Sequence, residues 1–445
     1  MVSTDAADLD DVANDRSHHV GAVPAAVVRP LTTDNVSATM RVCSQFGVAV
    51  VARGSGTGLE GASNGLAGAV TLDLRGMSRI VDVHPWDFDV VVQPGVMKSA
   101  LNERLALDGL FFPAGPGYDA SVGGMLSTRA SGTNAVRYGT MRENVMALTV
   151  VLADGRVIHT GSRTRKSAAG YDLTHLFVGA EGTLGIVTEA TLRVHGIPAH
   201  AAAMICGFPS LASATGVVYE ALRLEVPISR VELLDEPSMV AINRFTGSSF
   251  AEVPTLIFEV TGSATAVADE RAVLRGLASA AGAVGLSSSS EPTSIERIWN
   301  ARHQALPATA ALVSGATTWS TDVCVPISRL AECIELTQAD TQASGLLAPI
   351  VGHVGDGNFH LAIVLVPGDA ATLAVAHEVN DRLVARALAM GGTVSGEHGI
   401  GLGKMHALEL EHGDSLGVMA AIKLALDPQR LLNPGRMLGA GLFEG

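Results

Sequence analysis

The chain has 445 residues, 47% of them apolar, with 30 basic against 44 acidic side chains and a net charge of −14. That composition supports large buried cores and excludes a disordered acidic tail, while the negative charge argues against a nucleic-acid partner, whose phosphates it would repel. The 49 glycines follow no three-residue period, which excludes collagen and points to turns where backbone must approach something closely.

In chain order, residues 48–52 and 69–74 read as buried strands, and 80–83 and 90–93 as strands flanking a turn at 84–89. Residues 34–46 and 98–108 read as helices stopped by Gly47 and Gly109. Residues 145–159 form a hairpin pattern around Asp154-Gly155, and 185–194 a further strand. This is an α+β order rather than a regular βαβ alternation. From 201 to 385, strand-like runs at 202–208, 230–234, 255–260, 321–325, 350–352 and 361–365 are separated by Ala-rich helical stretches. The pattern predicts an antiparallel sheet with helices on one face. The serine run 287–290 reads as an exposed loop, and Gly-rich elements return in 386–445.

Four cysteines (Cys43, Cys206, Cys324, Cys333) form no CxxC pair and no even spacing, which fits free thiols in a reducing compartment. No stretch reaches the roughly 18 apolar residues of a membrane helix. The acidic start MVSTDAADLDDVANDRSHH matches neither a secretory signal nor an Arg-rich transit peptide. The expectation is a cytoplasmic protein with at most peripheral membrane contact.

Four constellations carry chemistry. The loop Arg53-Gly54-Ser55-Gly56-Thr57-Gly58, running on to Gly61, follows a strand directly. Converging backbone N–H groups there suit an anion such as a diphosphate. A strand at 69–74 follows it instead of a clear helix, which disfavours a Rossmann unit; an ordinary Gly-rich turn is the plain alternative. Further turns at Gln93-Pro94-Gly95, Pro113-Ala114-Gly115, Ser121-Val122-Gly123-Gly124 and Glu181-Gly182-Thr183-Leu184-Gly185 suggest a long cofactor laid along backbone. His353 and His360 bracket a Gly-Asp-Gly tip between apolar runs. Placed opposite one another they can share a metal, or simply hydrogen-bond near a turn. Glu397-His398 lies between glycines; Glu397 can complete a His-His-carboxylate set and His398 can accept a proton, or the pair can cap a turn at the surface. Arg302 offers a planar fork for a carboxylate, although most helical arginines are merely solvated. Trp299 beside it reads as core packing.

Taken together, these segments resemble the flavoproteins of the vanillyl-alcohol oxidase and p-cresol methylhydroxylase type, in the branch of D-2-hydroxy-acid dehydrogenases. The resemblance runs from Ser17-His18-His19 to Leu432-Asn433-Pro434-Gly435. It is carried by residues 128–140, 165–171 and 320–328, by His353 through His360, and by Gly396-Glu397-His398-Gly399-Ile400-Gly401. It implies an α+β fold: an FAD-binding domain of two subdomains (1–200), a sheet-and-helix cap domain with the histidine hairpin (201–385), and a C-terminal segment closing the active site (386–445). FAD is then held by Arg53–Gly58, Gly61, Pro113, Gly115, Ser121, Gly123, Gly124, Ser127, Glu181, Gly182, Gly185, Ile186 and Asn433. Relatives that attach flavin covalently carry a His where this chain has Thr57, which implies non-covalent FAD.

The resemblance further assigns His353, His360 and Glu397 to one divalent metal ion (zinc, manganese or iron), Arg302 to the substrate carboxylate and His398 to the catalytic base. The implied reaction oxidises a D-2-hydroxy monocarboxylate, D-lactate first, by hydride transfer to flavin N5. Electrons then pass to an external acceptor: a cytochrome, a quinone or an electron-transfer flavoprotein. Relatives acting on D-2-hydroxyglutarate carry Lys at the position of Ser320 and Asn at that of Ala362; both polar anchors are absent here. The competing readings are a glycolate oxidase-type subunit, a D-2-hydroxyglutarate dehydrogenase and, from another class, an alkyl-glycerone-phosphate synthase-like transferase.

Overall fold

A computed structural model describes residues 1–443. The chain divides into two compact units. The first is Met1–Gly132, Tyr138–Ile197 and Glu397–Gly445; the second is Thr133–Arg137 and Pro198–Gly396. The divisions at 197/198 and 396/397 differ from those read at 200/201 and 385/386. A cut at 385/386 would sever the helix Ala370–Ala389, which packs against Leu330–Ala343 within the second unit. Among the described residues no helix is long and apolar enough to cross a membrane.

In the first unit, Val50–Arg53 and Ala26–Val28 each pair in parallel with Val70–Asp73, and Val2–Ser3 adds an antiparallel edge. The crossover from Val50–Arg53 to Val70–Asp73 is the glycine loop and contains no helix, unlike a Rossmann βαβ unit. A second, antiparallel sheet runs in the order Ile80–His84, Asp89–Val92, Ile186–Arg193, Val145–Val151, Val157–Gly161. The helix Thr33–Phe46 starts where the Thr32 side chain accepts from the Asn35 N–H and ends at Gly47, whose φ is +66°. Its apolar stripe, Val36, Met40 and Cys43, is buried with Val50, Leu72, Val151, Ile186 and Leu432, which seals the two sheets together. Each large aliphatic side chain there contributes about 1.5–3 kcal/mol by leaving water. The tail is stitched onto the first sheet: the Val50 N–H donates to Leu431 O and the Asn433 N–H to Val50 O, both at 2.8 Å.

The second unit is built on an eight-stranded antiparallel sheet. Its order is Val284–Ser289, His200–Gly207, Thr255–Gly262, Ile228–Leu234, Ile350–His353, Asn358–Leu365, Thr317–Ser320, with Val323–Cys324 also paired to Asn358–Leu365. Three expectations are corrected here. The serine run is the edge strand Val284–Ser289, with Ser287, Ser288 and Ser289 in register with Ile205, Met204 and Ala203. Backbone pairing to a buried neighbour outweighs the weak strand preference of serine. The single strand read at 321–325 is broken into Thr317–Ser320 and Val323–Cys324, with Thr321 and Asp322 between them. Helices cover both faces rather than one. Ala203, Ile205, Leu234, Ile257 and Val351 pack under Glu236–Thr246, Pro292–His303 and Ala305–Ala310, while the alternate residues Met204, Phe258, Val231 and Leu233 are buried too. Alternation along a strand sends these sets to opposite faces.

Candidate active site

In the first unit Ser121, Gly124 and Asn433, three of the residues expected at a cofactor, lie against the Arg53–Gly61 loop or its neighbour Ala62. The Ser55 N–H donates to Ser121 Oγ at 3.0 Å, the Ser121 N–H returns to Ser55 Oγ at 3.2 Å, and the Tyr118 hydroxyl holds Thr57 O at 3.1 Å. Gly56 sits at φ +70°, where a Cβ would lie 2.3 Å from Arg53 Nη2. Among the described residues, the N–H groups of Gly56, Thr57, Gly58 and Leu59 donate to no protein acceptor. Such a run of backbone donors fits a diphosphate. Arg53 lies buried alongside on the carbonyls of Ser63, Asn14 and Asp11, with no carboxylate in salt-bridge reach among the described residues, so its charge adds to the anionic preference of the loop.

Gly115 turns at φ +118° and donates to Ser131 O; Pro113 precedes it. Gly123, Gly124 and Ser127 lie on the short helix Val122–Thr128, and a Cβ on Gly123 would press on Pro94. Gly185 is needed for packing, since a Cβ there would lie 2.5 Å from Val150 Cγ1. Ile186 turns its side chain into the core, leaving only backbone for a cofactor.

Glu181 and Asn433 tie these pieces to the C-terminal segment. Asn433 Nδ2 donates to Ala62 O at 2.9 Å and Glu181 O at 2.8 Å, and its buried Oδ1 has no partner among the described residues. The Glu181 carboxylate accepts from the Ile400 N–H at 2.6 Å and the Gly401 N–H at 2.8 Å. Burial pushes the Glu181 carboxyl up to about 7, against the pull of those two N–H groups. It thus clamps the backbone that carries Glu397 and His398, while Glu397 Oε2 accepts from the Gly132 N–H at 2.8 Å.

The second unit brings His353 and His360 together with Arg302. Gly357 at the hairpin tip takes φ +79°, and any Cβ there would stand 2.1 Å from Val325 O. The register corrects the expected geometry: His353 pairs with Asn358 and His360 with Val351. The histidines are therefore diagonal neighbours on one face, not direct opposites. Their ring centroids are 5.4 Å apart, with ring nitrogens within 4.8 Å. His360 Nδ1 donates to Thr321 O at 2.8 Å and His353 Nδ1 to Glu232 Oε1 at 2.6 Å. A carbonyl and a carboxylate only accept, so both rings carry hydrogen on Nδ1, which makes Nε2 the atom of each that can ligate a cation when the ring is neutral. That donor set fits a divalent cation.

Arg302, on Pro292–His303, donates Nε to Glu232 Oε2 at 2.7 Å. Glu232 is fully buried; burial raises its carboxyl, but His353 and Arg302 outweigh that and hold it below the ordinary range. Trp299 is core, as read, and also donates to Glu259 at 2.8 Å. Glu232 was missed in the sequence. Its signal was a carboxylate inside the apolar run Val231-Glu232-Leu233-Leu234, where an unpartnered charge would not be tolerated.

Comparison with known proteins fits both halves. Residues 24–161 match the model of an FAD binding domain, and 197–437 that of the FAD linked oxidases, C-terminal domain. The chain belongs to the FAD-linked oxidase family. It is 47% identical over 98% of its length to a probable mitochondrial D-lactate dehydrogenase of Danio rerio, covering 89% of that protein. It is 42% identical over 95% of its length to a mitochondrial D-lactate dehydrogenase [cytochrome] of Arabidopsis thaliana, covering 74% of it. The fold is that of p-cresol methylhydroxylase with substrate bound: TM-score 0.78 at 18% identity, covering 99% of this chain and 94% of that one. This FAD-linked oxidase is an enzyme, an FAD-linked oxidoreductase, and it has the fold of p-cresol methylhydroxylase.

Proposed function

We propose that this FAD-linked oxidase oxidises a D-2-hydroxy monocarboxylate, D-lactate foremost, to the 2-oxo acid and passes the electrons to an external acceptor. The observation that carries the reading is the shared carboxylate of Glu232, which holds a guanidinium and a metal-type imidazole side by side. A 2-hydroxy acid carries a carboxylate and a hydroxyl on adjacent carbons, matching one cation fork beside one metal-ligand group. The D-lactate dehydrogenase names of the relatives support the same substrate class.

In this reading the terminal nitrogens of Arg302 grip the carboxylate in a charge-assisted pair. His353, His360 and Glu397 supply the ligands of a divalent ion. FAD, bound without a covalent link because Thr57 offers no nucleophilic nitrogen, supplies the hydride acceptor, and the ion supplies polarisation of the hydroxyl. His398 takes the hydroxyl proton. Ser320 and Ala362 support a monocarboxylate: they are cross-strand partners, and Ala362 lies two residues beyond His360 on the same sheet face. Neither offers a charge to a second carboxylate.

The test is a panel of D- and L-lactate, glycolate, longer D-2-hydroxy acids and D-2-hydroxyglutarate, followed by dye reduction and 2-oxo acid yield. D-lactate or a close monocarboxylate should lead, with one 2-oxo acid per two electrons. Preference for D-2-hydroxyglutarate, or dye reduction without a 2-oxo acid, would overturn the reading.

A further inference from the structure

Glu232 is fully buried at the centre of the strand Ile228–Leu234, on the sheet face that also carries His353 and His360. Each of its two oxygens has one donor: Oε1 takes His353 Nδ1 at 2.6 Å and Oε2 takes Arg302 Nε at 2.7 Å. The two donors come from different elements, a strand and a helix. Only an acceptor with two separate oxygens satisfies both, because arginine Nε is always a donor and a carboxylate never donates when ionised.

We propose that Glu232 is a positioning residue that sets both halves of the substrate site at once. It keeps His353 in the Nδ1–H form, with Nε2 as the ligand atom. It also occupies the Nε edge of Arg302, so that the guanidinium meets the substrate carboxylate through its terminal nitrogens. The inference rests on the proposed function and deepens it: the group that orients the hydroxyl end is the same one that orients the carboxylate end.

Glu232→Gln separates this role from mere packing. An amide has one accepting oxygen. With that oxygen on Arg302, its NH2 faces His353 Nδ1 and favours the opposite tautomer, which places hydrogen on Nε2. Full-length, FAD-loaded protein is titrated with zinc(II) against a colorimetric chelator. Loss of an outer partner of a ligating histidine typically costs about 10–100-fold in metal affinity, and that weakening is expected for Glu232→Gln. Glu232→Asp, still a pure acceptor though shorter, should recover much of the zinc affinity while KM for D-lactate stays raised.

A second measurement needs no variant at position 232. Nitrogen-15 NMR of histidine-labelled wild type, with His353 assigned through its loss in His353→Asn, should show the Nδ1–H tautomer. Zinc affinity and KM within twofold of wild type in Glu232→Gln, or an Nε2–H tautomer at His353, would overturn the proposal. A wild-type chain that binds no zinc, manganese or iron would overturn the metal reading itself and the proposal with it.

Discussion

In the proposed function the two units contribute to recognition with largely different material. The first would hold a cofactor mainly through backbone, with N–H groups from Gly56 to Leu59, a hydroxyl clasp from Ser55 to Ser121 and Asn433 pinned across two loops, and adds the side chains of Glu397 and His398. The second uses side chains on rigid strands and one helix: His353, His360, Glu232 and Arg302. A backbone cradle fits a large constant cofactor and is damaged by adding atoms. A side-chain cluster is adapted to reaction and substrate, and is damaged by removing charge or changing tautomer.

That contrast can be broken by substitution. The largest effect belongs to His398→Ala, which should retain the yellow cofactor yet slow flavin reduction by D-lactate about 10²–10⁴-fold. Stopped-flow reduction at the wild-type rate would remove His398 from the chemistry. Arg302→Met should raise KM for D-lactate roughly 10–100-fold, since charge-assisted hydrogen bonds contribute about 1.5–3 kcal/mol. Steady-state kinetics with an unaltered KM would refute carboxylate binding there.

Gly56→Ala tests the opposite half. Its φ of +70° and the 2.3 Å approach to Arg53 mean that even a methyl group must displace the loop. FAD should dissociate more readily, by about 1–3 kcal/mol of lost binding, while zinc affinity stays unchanged. Equal loss of both ligands would erase the distinction between the units.

The smallest effect is a pH dependence at Glu181. Its carboxyl is raised from 4.5 to about 7, so the folded chain binds that proton more tightly than the unfolded chain. Ionisation therefore subtracts stability as pH climbs from about 4.5 to 7, and protonation restores it below. Glu181→Gln, which cannot ionise, should show a shallower fall in Tm between pH 5 and 8. Parallel Tm profiles would contradict the assignment.

What was legible in the sequence follows the same divide. Strands and helix ends in the first unit were readable because they are punctuated by residues with fixed conformational meaning, such as Gly47 after Thr33–Phe46 and Asp154-Gly155 between two apolar runs. The histidine hairpin was readable from its Gly-Asp-Gly tip, but its register was not: nothing local says that His353 pairs with Asn358 rather than with His360. The strand Val284–Ser289 was hidden because its partner, not its own composition, stabilises it. Glu232 lay outside any motif, and its meaning depends on Arg302 and His353, which are distant in sequence and adjacent only in the fold.

The central claim is that a D-2-hydroxy acid reduces the flavin of this chain. The most direct measurement is the visible spectrum of the purified protein without oxygen, before and after D-lactate and then L-lactate. Bleaching of the oxidised flavin band by D-lactate and not by L-lactate is the result this account predicts. A band untouched by D-lactate, or bleached equally by both enantiomers, would contradict it.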